Sequence, residues 1–276
     1  MPTLLLLLAL PLSAAAEVAQ NDEAFSIAKN LPQAKVSDFH GYSRYDLKLN
    51  EAGGDLKVVE PRSIGKGRPW IWRARFFGHQ PALDLQLLER GWHVVYCDVS
   101  NLYGSDEAMD RWDRCHAYFV EAGLSSKPVL EGMSRGGLSI FRWASRNPDK
   151  VSAVYGDNPV CDFRTWPAGI MAGKRSEADW KKLLKAWSLT DDQARKHAQV
   201  IDGLEPLAKA KVPVALVLGL KDDVVPPAQN GLLLAERYRK LGGPVKVWEK
   251  PEAGHHPHGL NPPDELRQFL MKAAGF

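Results

Sequence analysis

A mostly parallel α/β sheet with helices packed on both faces is the architecture expected of this 276-residue chain, and three observations carry it. Strand-like and helix-like segments alternate from about residue 69 to the end, as they do in a wound sheet. Several strand candidates, among them Trp92-His93-Val94-Val95-Tyr96-Cys97 and Val212 to Leu218, are nearly continuous apolar runs, which suits strands covered on both faces. The run Val129-Leu130-Glu131-Gly132-Met133-Ser134-Arg135-Gly136-Gly137-Leu138 reads as a buried strand, a tight Gly-x-Ser-x-Gly turn and the start of a helix.

Met1 to Ala16 carries the apolar run Leu4 to Leu12, too short to span a bilayer, followed by Ser13-Ala14-Ala15-Ala16. This pattern suits a secretory leader cleaved before Glu17, so a secreted or periplasmic location is expected, although no Lys or Arg precedes the run. Residues 17–41 read as a polar N-terminal arm lying on the surface. The domain proper is expected over residues 42–276.

Tyr42 to Asn50 alternates and, after Gly53-Gly54, is followed by Asp55 to Glu60, which predicts an antiparallel hairpin at the sheet edge. Pro69 to Ala74 is a third strand, Leu83 to Arg90 a helix, Trp92 to Cys97 a strand, and a helix follows to about Ala122. After the strand at Val129, an amphipathic helix runs to Asn147-Pro148, and Val151 to Tyr155, Val212 to Leu218 and Pro244 to Trp248 complete eight strands. A last helix starts near Pro263. The stretch of about fifty residues between Tyr155 and Val212 exceeds an ordinary loop and holds an amphipathic segment, Glu177 to Ser188. A small helical cap, about 157–205, is expected there.

Composition is ordinary for a globular protein, with 45% hydrophobic and 25% charged residues. The net charge of +3 comes from 36 basic and 33 acidic residues without clustering, so neither nucleic acid nor a membrane is expected as a partner. Three cysteines, Cys97, Cys115 and Cys161, allow at most one internal bridge. No Cys-x-x-Cys or other metal-ligand spacing occurs, and three small, partly buried thiols are the simpler expectation.

The Gly132-Met133-Ser134-Arg135-Gly136 turn looks like a nucleophile elbow, where small residues let the chain turn and lift one serine onto a strained corner. Gly132 and Gly136 fit its two steric slots. With the strand count and chain order, residues 42 to 276 resemble the α/β-hydrolase superfamily. That resemblance implies an eight-stranded, mostly parallel sheet and a Ser, Asp or Glu, His order along the chain. The acid loop then corresponds to Gly219-Leu220-Lys221-Asp222-Asp223, with Asp222 preferred and Asp223 the competitor. The histidine loop corresponds to Gly254-His255-His256-Pro257-His258, with His255 preferred.

The resemblance further implies a two-step acyl transfer to water, with the N–H of Arg135 as one oxyanion donor. A second N–H is expected from Arg75 or Phe76, although Arg75-Phe76-Phe77-Gly78 replaces the family's common His-Gly. No metal and no cofactor is expected, since the histidine run lacks a carboxylate or thiol at ligand spacing. His79, His93 and His116 read as packing or surface residues.

Locally the elbow is similar to the Gly-Cys-Ser-Arg-x-Gly of glucuronoyl esterases, with Met133 in place of the cysteine. The Arg135 side chain could accordingly assist the oxyanion, pair a substrate carboxylate or form a surface salt bridge. Trp166, Trp180 and Trp187 fall in the expected cap, and the seven-residue spacing of the last two favours packing over sugar stacking. A secreted carbohydrate esterase acting on a small-molecule or polysaccharide ester is the preferred expectation. A prolyl-oligopeptidase-type peptidase, a general carboxylesterase and a non-catalytic binding protein on this fold are the alternatives.

Overall fold

The computed structural model describes residues 25–31, 33–49 and 54–276. The expected leader and residues 17–24 of the expected arm lie outside the described residues. Nine strands form one sheet: β1 (Lys35–Phe39), β2 (Tyr42–Leu49), β3 (Gly54–Val59), β4 (Trp70–Arg73), β5 (His93–Cys97), β6 (Val129–Met133), β7 (Ala153–Asp157), β8 (Val214–Gly219) and β9 (Val245–Lys250). Their order is β1-β2-β3-β5-β4-β6-β7-β8-β9. The first four neighbours pair antiparallel, and every pair from β5 to β9 is parallel.

The expected eight strands are therefore joined by a ninth, β1, at the edge. It carries no apolar signal, since Val36 is 62% exposed and only Phe39 is buried. It forms because His40 and Gly41, with φ of 52° and 81°, make the tight two-residue turn that suits a twisted hairpin. The arm also differs from a surface segment at its start: Ile27 and Leu31 are buried in the main core.

The described residues form eight α-helices: α1 (Ala82–Leu88), α2 (Asp106–Glu121), α3 (Gly136–Arg146), α4 (Glu177–Trp187), α5 (Asp191–Lys196), α6 (Glu205–Lys209), α7 (Gly231–Lys240) and α8 (Asp264–Ala273). Residues of α2, α3, α6 and α7 fill the core on one face, and Leu83, Leu87, Leu266 and Leu270 of α1 and α8 fill it on the other. Strands β5, β6, β7 and β8 are buried along their whole length, as two covered faces require. None of the helices of the described residues is long and apolar enough to cross a membrane.

Tryptophan is abundant because it builds the core. Trp72 stacks on Trp112 at 4.1 Å between ring centroids and meets Trp143 edge-on at 5.3 Å. Cutting any of these back to Ala would cost about 3–5 kcal/mol. Cys97 at the end of β5 and Cys115 in α2 form a disulfide, and Cys161 remains a buried thiol. Cys97 and Cys115 thus depart from the expectation of small packing thiols, whereas Cys161 fits it.

A third cluster sits above the carboxyl ends of the strands. Tyr103, Leu138, Phe163, Trp166, Trp180, Leu183 and Ala194 are buried together there, joining α4 and α5 to the body. The chain runs from β4 out to β5 and then back across to β6, so the loops after β4 and β6 part at this end of the sheet. Such a point, where the strand order reverses, opens a crevice at the strand ends.

Candidate active site

Ser134 occupies the turn between β6 and α3 with φ of 50°, a left-handed conformation unusual for serine. Its backbone is held on several sides. The Ser134 N–H donates to Asp157 O at 2.9 Å, and Ser134 O accepts from Gly137 N at 3.0 Å and Val160 N at 2.8 Å. A strained backbone persists when its surroundings determine it in this way.

The steric demand at the corner differs in one position from the expectation. A Cβ on Gly132 would lie 2.8 Å from the Gly136 carbonyl, and one on Gly137 would lie 2.6 Å from Val160 O. A Cβ on Gly136 would meet only ordinary contacts, Ala74 Cβ at 3.4 Å and Arg75 Cβ at 3.6 Å. Gly132 and Gly137 are therefore the obligatory pair. The second slot was hidden because only the fold brings Val160 over α3.

Asp222 follows β8 and is 4% exposed. Its Oδ1 accepts from the N–H groups of Val224 (2.9 Å) and Val225 (2.8 Å), which fixes the carboxylate and leaves Oδ2 facing His255. His255 Nδ1 lies 2.7 Å from that Oδ2, and its Nε2 lies 2.9 Å from Ser134 Oγ. With the proton on Nδ1, the imidazole donates to Asp222 and accepts from the serine hydroxyl. Asp223 instead points outward, 2.7 Å from Lys174, and His256 is exposed.

The acid and histidine loops are locked together by contacts that sequence reading did not supply. Lys221 N donates to Ala253 O at 2.9 Å, and Gly219 leaves no room for a Cβ against Gly254 O. Buried Asn158, just past β7, brackets both loops: its Oδ1 accepts from Gly219 N at 2.7 Å, and its Nδ2 donates to His255 O at 3.0 Å. No motif marks such a residue. Only its place beyond a central strand, next to the expected cap, hints at a role.

The family of the chain is shown by its sequence rather than by this geometry, which recurs on many folds. A family model described as the prolyl oligopeptidase family matches residues 85–274. The chain belongs to that family. The fold of this chain is shared by dipeptidyl peptidase 4 of Porphyromonas gingivalis, with a TM-score of 0.61 at 14% identity over 87% of this chain and 35% of that one. Est1E from Butyrivibrio proteoclasticus also gives 0.61, at 19% identity over 88% of this chain and 99% of that one. Among curated proteins, the acylamino-acid-releasing enzyme of Arabidopsis thaliana is 28% identical over 168 residues, 57% of this chain. The chain spans only 20% of that relative's length. The family match and these neighbours support the expected α/β-hydrolase superfamily, within which a peptidase fits at least as well as a carbohydrate esterase.

Within this prolyl oligopeptidase family chain, the loop after β4 lies against the elbow. The missing Cβ of Gly136 would sit 3.9 Å from Arg75 N. Among the described residues, the N–H groups of Arg135, Arg75 and Phe76 donate to no protein acceptor. The loop is braced from below by Arg73, whose Nη2 donates to His79 O at 2.9 Å. Arg73 itself is buried between Asp84, which it bonds closely, and Glu131 at 3.3 Å. One cation faces two carboxylates, so Glu131 is pushed up to about 8 by burial and by the charges of Asp84 and Asp157, against the pull of Arg73.

The Arg135 guanidinium pairs with Asp179 of α4 at 2.9 Å, contacts Tyr103 OH at 3.2 Å and lies 4.9 Å above the Trp166 ring. Of the roles open to it, an internal ion pair is the one the structure shows, and it ties α4 to the elbow. Burial acts to raise the Asp179 pKa, but bonds from Tyr103 and Ser176 and the charge of Arg135 hold it below the ordinary value. Trp180 and Trp187 pack inward, donating to Asp191 at 2.8 Å and Tyr103 O at 3.0 Å.

A second histidine–aspartate pair lies beside the first. His258 Nδ1 is 2.6 Å from Asp157 Oδ1, and Asp157 Oδ2 accepts from Gly259 N at 2.6 Å and Tyr155 OH at 2.7 Å. His93 is buried and its pKa falls to about 4 because burial disfavours its charged form, in keeping with a packing residue. His79 is not isolated: its ring is 5.9 Å from that of His258.

Proposed function

We propose that the protein is a serine hydrolase that works through an acyl-enzyme on Ser134. The observation that carries this reading is the unbroken relay from Asp222 to His255 to Ser134, at 2.7 and 2.9 Å. A serine hydroxyl is a weak nucleophile near pH 7, so His255 Nε2 takes its proton as Oγ attacks the carbonyl. Asp222 holds the imidazole in the required tautomer and stabilises its cationic form. The oxyanion is met by the N–H groups of Arg135 and of Arg75, which have no protein acceptor. Collapse expels the leaving group with the proton from His255. Water, deprotonated by the same imidazole, then adds to the acyl carbon, and its collapse returns free Ser134 and the acid.

For the substrate, we favour acylated amino acids or short peptide derivatives, including their esters. Family membership supports this, as does the name of the curated relative. The carbohydrate-ester reading draws less support, because stacking on a sugar needs an open indole face. Trp166 is 8% and Trp180 2% exposed, and Arg135 covers Trp166. Export is proposed with this reading, supported by the leader-like residues 1–16 and by the Cys97–Cys115 disulfide, a bond that persists in oxidising compartments.

A panel of acetyl-amino-acid esters and amides, p-nitrophenyl acyl esters, acetylated sugars and a uronate methyl ester tests the proposal, with Ser134→Ala alongside. Turnover of the amino-acid derivatives that vanishes in the variant is expected. Turnover of sugar esters alone would move the substrate class, and turnover surviving in Ser134→Ala would overturn the mechanism. N-terminal sequencing of protein recovered outside the cytoplasm should begin at Glu17; an intact Met1 there would contradict a cleaved leader.

A further inference from the structure

We propose that His255, His256 and His258 form a chelating site for a zinc ion, and that zinc bound there reversibly switches off hydrolysis. The inference rests on His255 being the catalytic base. One ring nitrogen of each histidine lies within 4.8 Å of the other two, and the ring centroids are 4.8 to 5.1 Å apart. Nitrogens around a tetrahedral zinc stand about 3.4 Å apart, as Zn–N bonds near 2.05 Å require. Rotation of the exposed His256 ring can bring its nitrogen toward the other two.

The second observation is how two of the rings are held. His255 and His258 each direct Nδ1 to a buried carboxylate, Asp222 at 2.7 Å and Asp157 at 2.6 Å. This fixes the tautomer with the lone pair on Nε2, the arrangement that supports imidazole ligands of zinc. His256 supplies a third nitrogen from the exposed side and makes no hydrogen bond to other described residues. Three neutral imidazoles suit zinc or another borderline transition metal and do not suit magnesium. Water completes the fourth position.

The consequence for catalysis follows from the lone pair. His255 Nε2 is the acceptor for the Ser134 hydroxyl, so a metal on that nitrogen leaves the serine with no base. Removing the metal restores the relay, since no covalent bond of the protein changes.

Calorimetric titration of zinc into the Ser134→Ala protein tests the site without any need for turnover. One zinc per chain is expected, weakened at least about ten-fold when His256→Ala is added. In the protein with Ser134 intact, zinc should stop turnover and EDTA should restore it. His256→Ala should keep the zinc-free rate yet need at least about ten-fold more zinc for half-inhibition, and magnesium should do neither. No binding, binding unchanged by His256→Ala, or equal inhibition by magnesium would each overturn the proposal. A protein with no turnover even without zinc would count against the hydrolase reading, while the calorimetry would still decide the zinc site.

Discussion

Two histidine–aspartate pairs stand side by side at the carboxyl ends of the strands, their imidazole centroids 5.0 Å apart. In both, Nδ1 is held by a buried carboxylate at nearly the same distance, 2.7 Å for His255–Asp222 and 2.6 Å for His258–Asp157. What separates them is the other nitrogen. His255 Nε2 reaches Ser134, and its side chain is 10% exposed; His258 is 2% exposed, and its aspartate is shared with Gly259 N and Tyr155 OH. A carboxylate partner orients an imidazole, but only a nucleophile within reach makes it a base. The second pair is a structural clamp that ties the histidine loop to the end of β7.

The largest effect should come from the nucleophile. Ser134→Ala should reduce kcat by about 10⁴-fold or more while leaving the thermal melt within a few degrees. Next comes the acid: Asp222→Asn should cost about 10⁴-fold, because the amide favours the wrong tautomer. Asp223→Asn, at an exposed carboxylate paired with Lys174, should stay within about two-fold. Comparable losses from the two would break the assignment of the acid.

The clamp should respond in the opposite way. Asp157→Asn replaces an acceptor of three hydrogen bonds by a group with one acceptor oxygen. It should destabilise the fold by about 2–4 kcal/mol and lower kcat by less than about ten-fold at a temperature where the variant is folded. A loss of kcat as deep as that of Asp222→Asn, with an unchanged melt, would make the second pair catalytic.

The smallest expected effect concerns the polar layer beneath the elbow. Glu131, pushed up to about 8 in the fold, keeps its proton where an unfolded chain has released it, near 4.3. Its contribution is therefore complete below the unfolded value and is lost as pH rises through about 8. Glu131→Gln, a permanent stand-in for the protonated acid, should flatten the fall in melting temperature between pH 5 and pH 9 by roughly 2–4 °C for each kcal/mol involved. Identical slopes for both proteins would mean that the carboxyl is ionised in the fold.

Much of this comparison was legible in the sequence, because strands buried on both faces leave continuous apolar runs and the elbow leaves a spaced motif. Ser134, Asp222 and His255 could be chosen from loops whose order along the chain is constrained. The ninth strand could not be found, since β1 buries only Phe39 and is specified by the His40–Gly41 turn rather than by hydrophobic pattern. Gly137 and Asn158 were missed for a different reason. Their roles depend on Val160, Gly219 and His255, partners distant in sequence, so no local spacing encodes them.

The most direct test of the account is to treat the protein with a serine-reactive phosphonate and locate the adduct by mass spectrometry of its peptides. One adduct per chain, on Ser134 and strongly reduced in His255→Ala, is the expected result. An adduct on another residue, or labelling of Ser134 that does not depend on His255, would contradict the relay on which the proposed function rests.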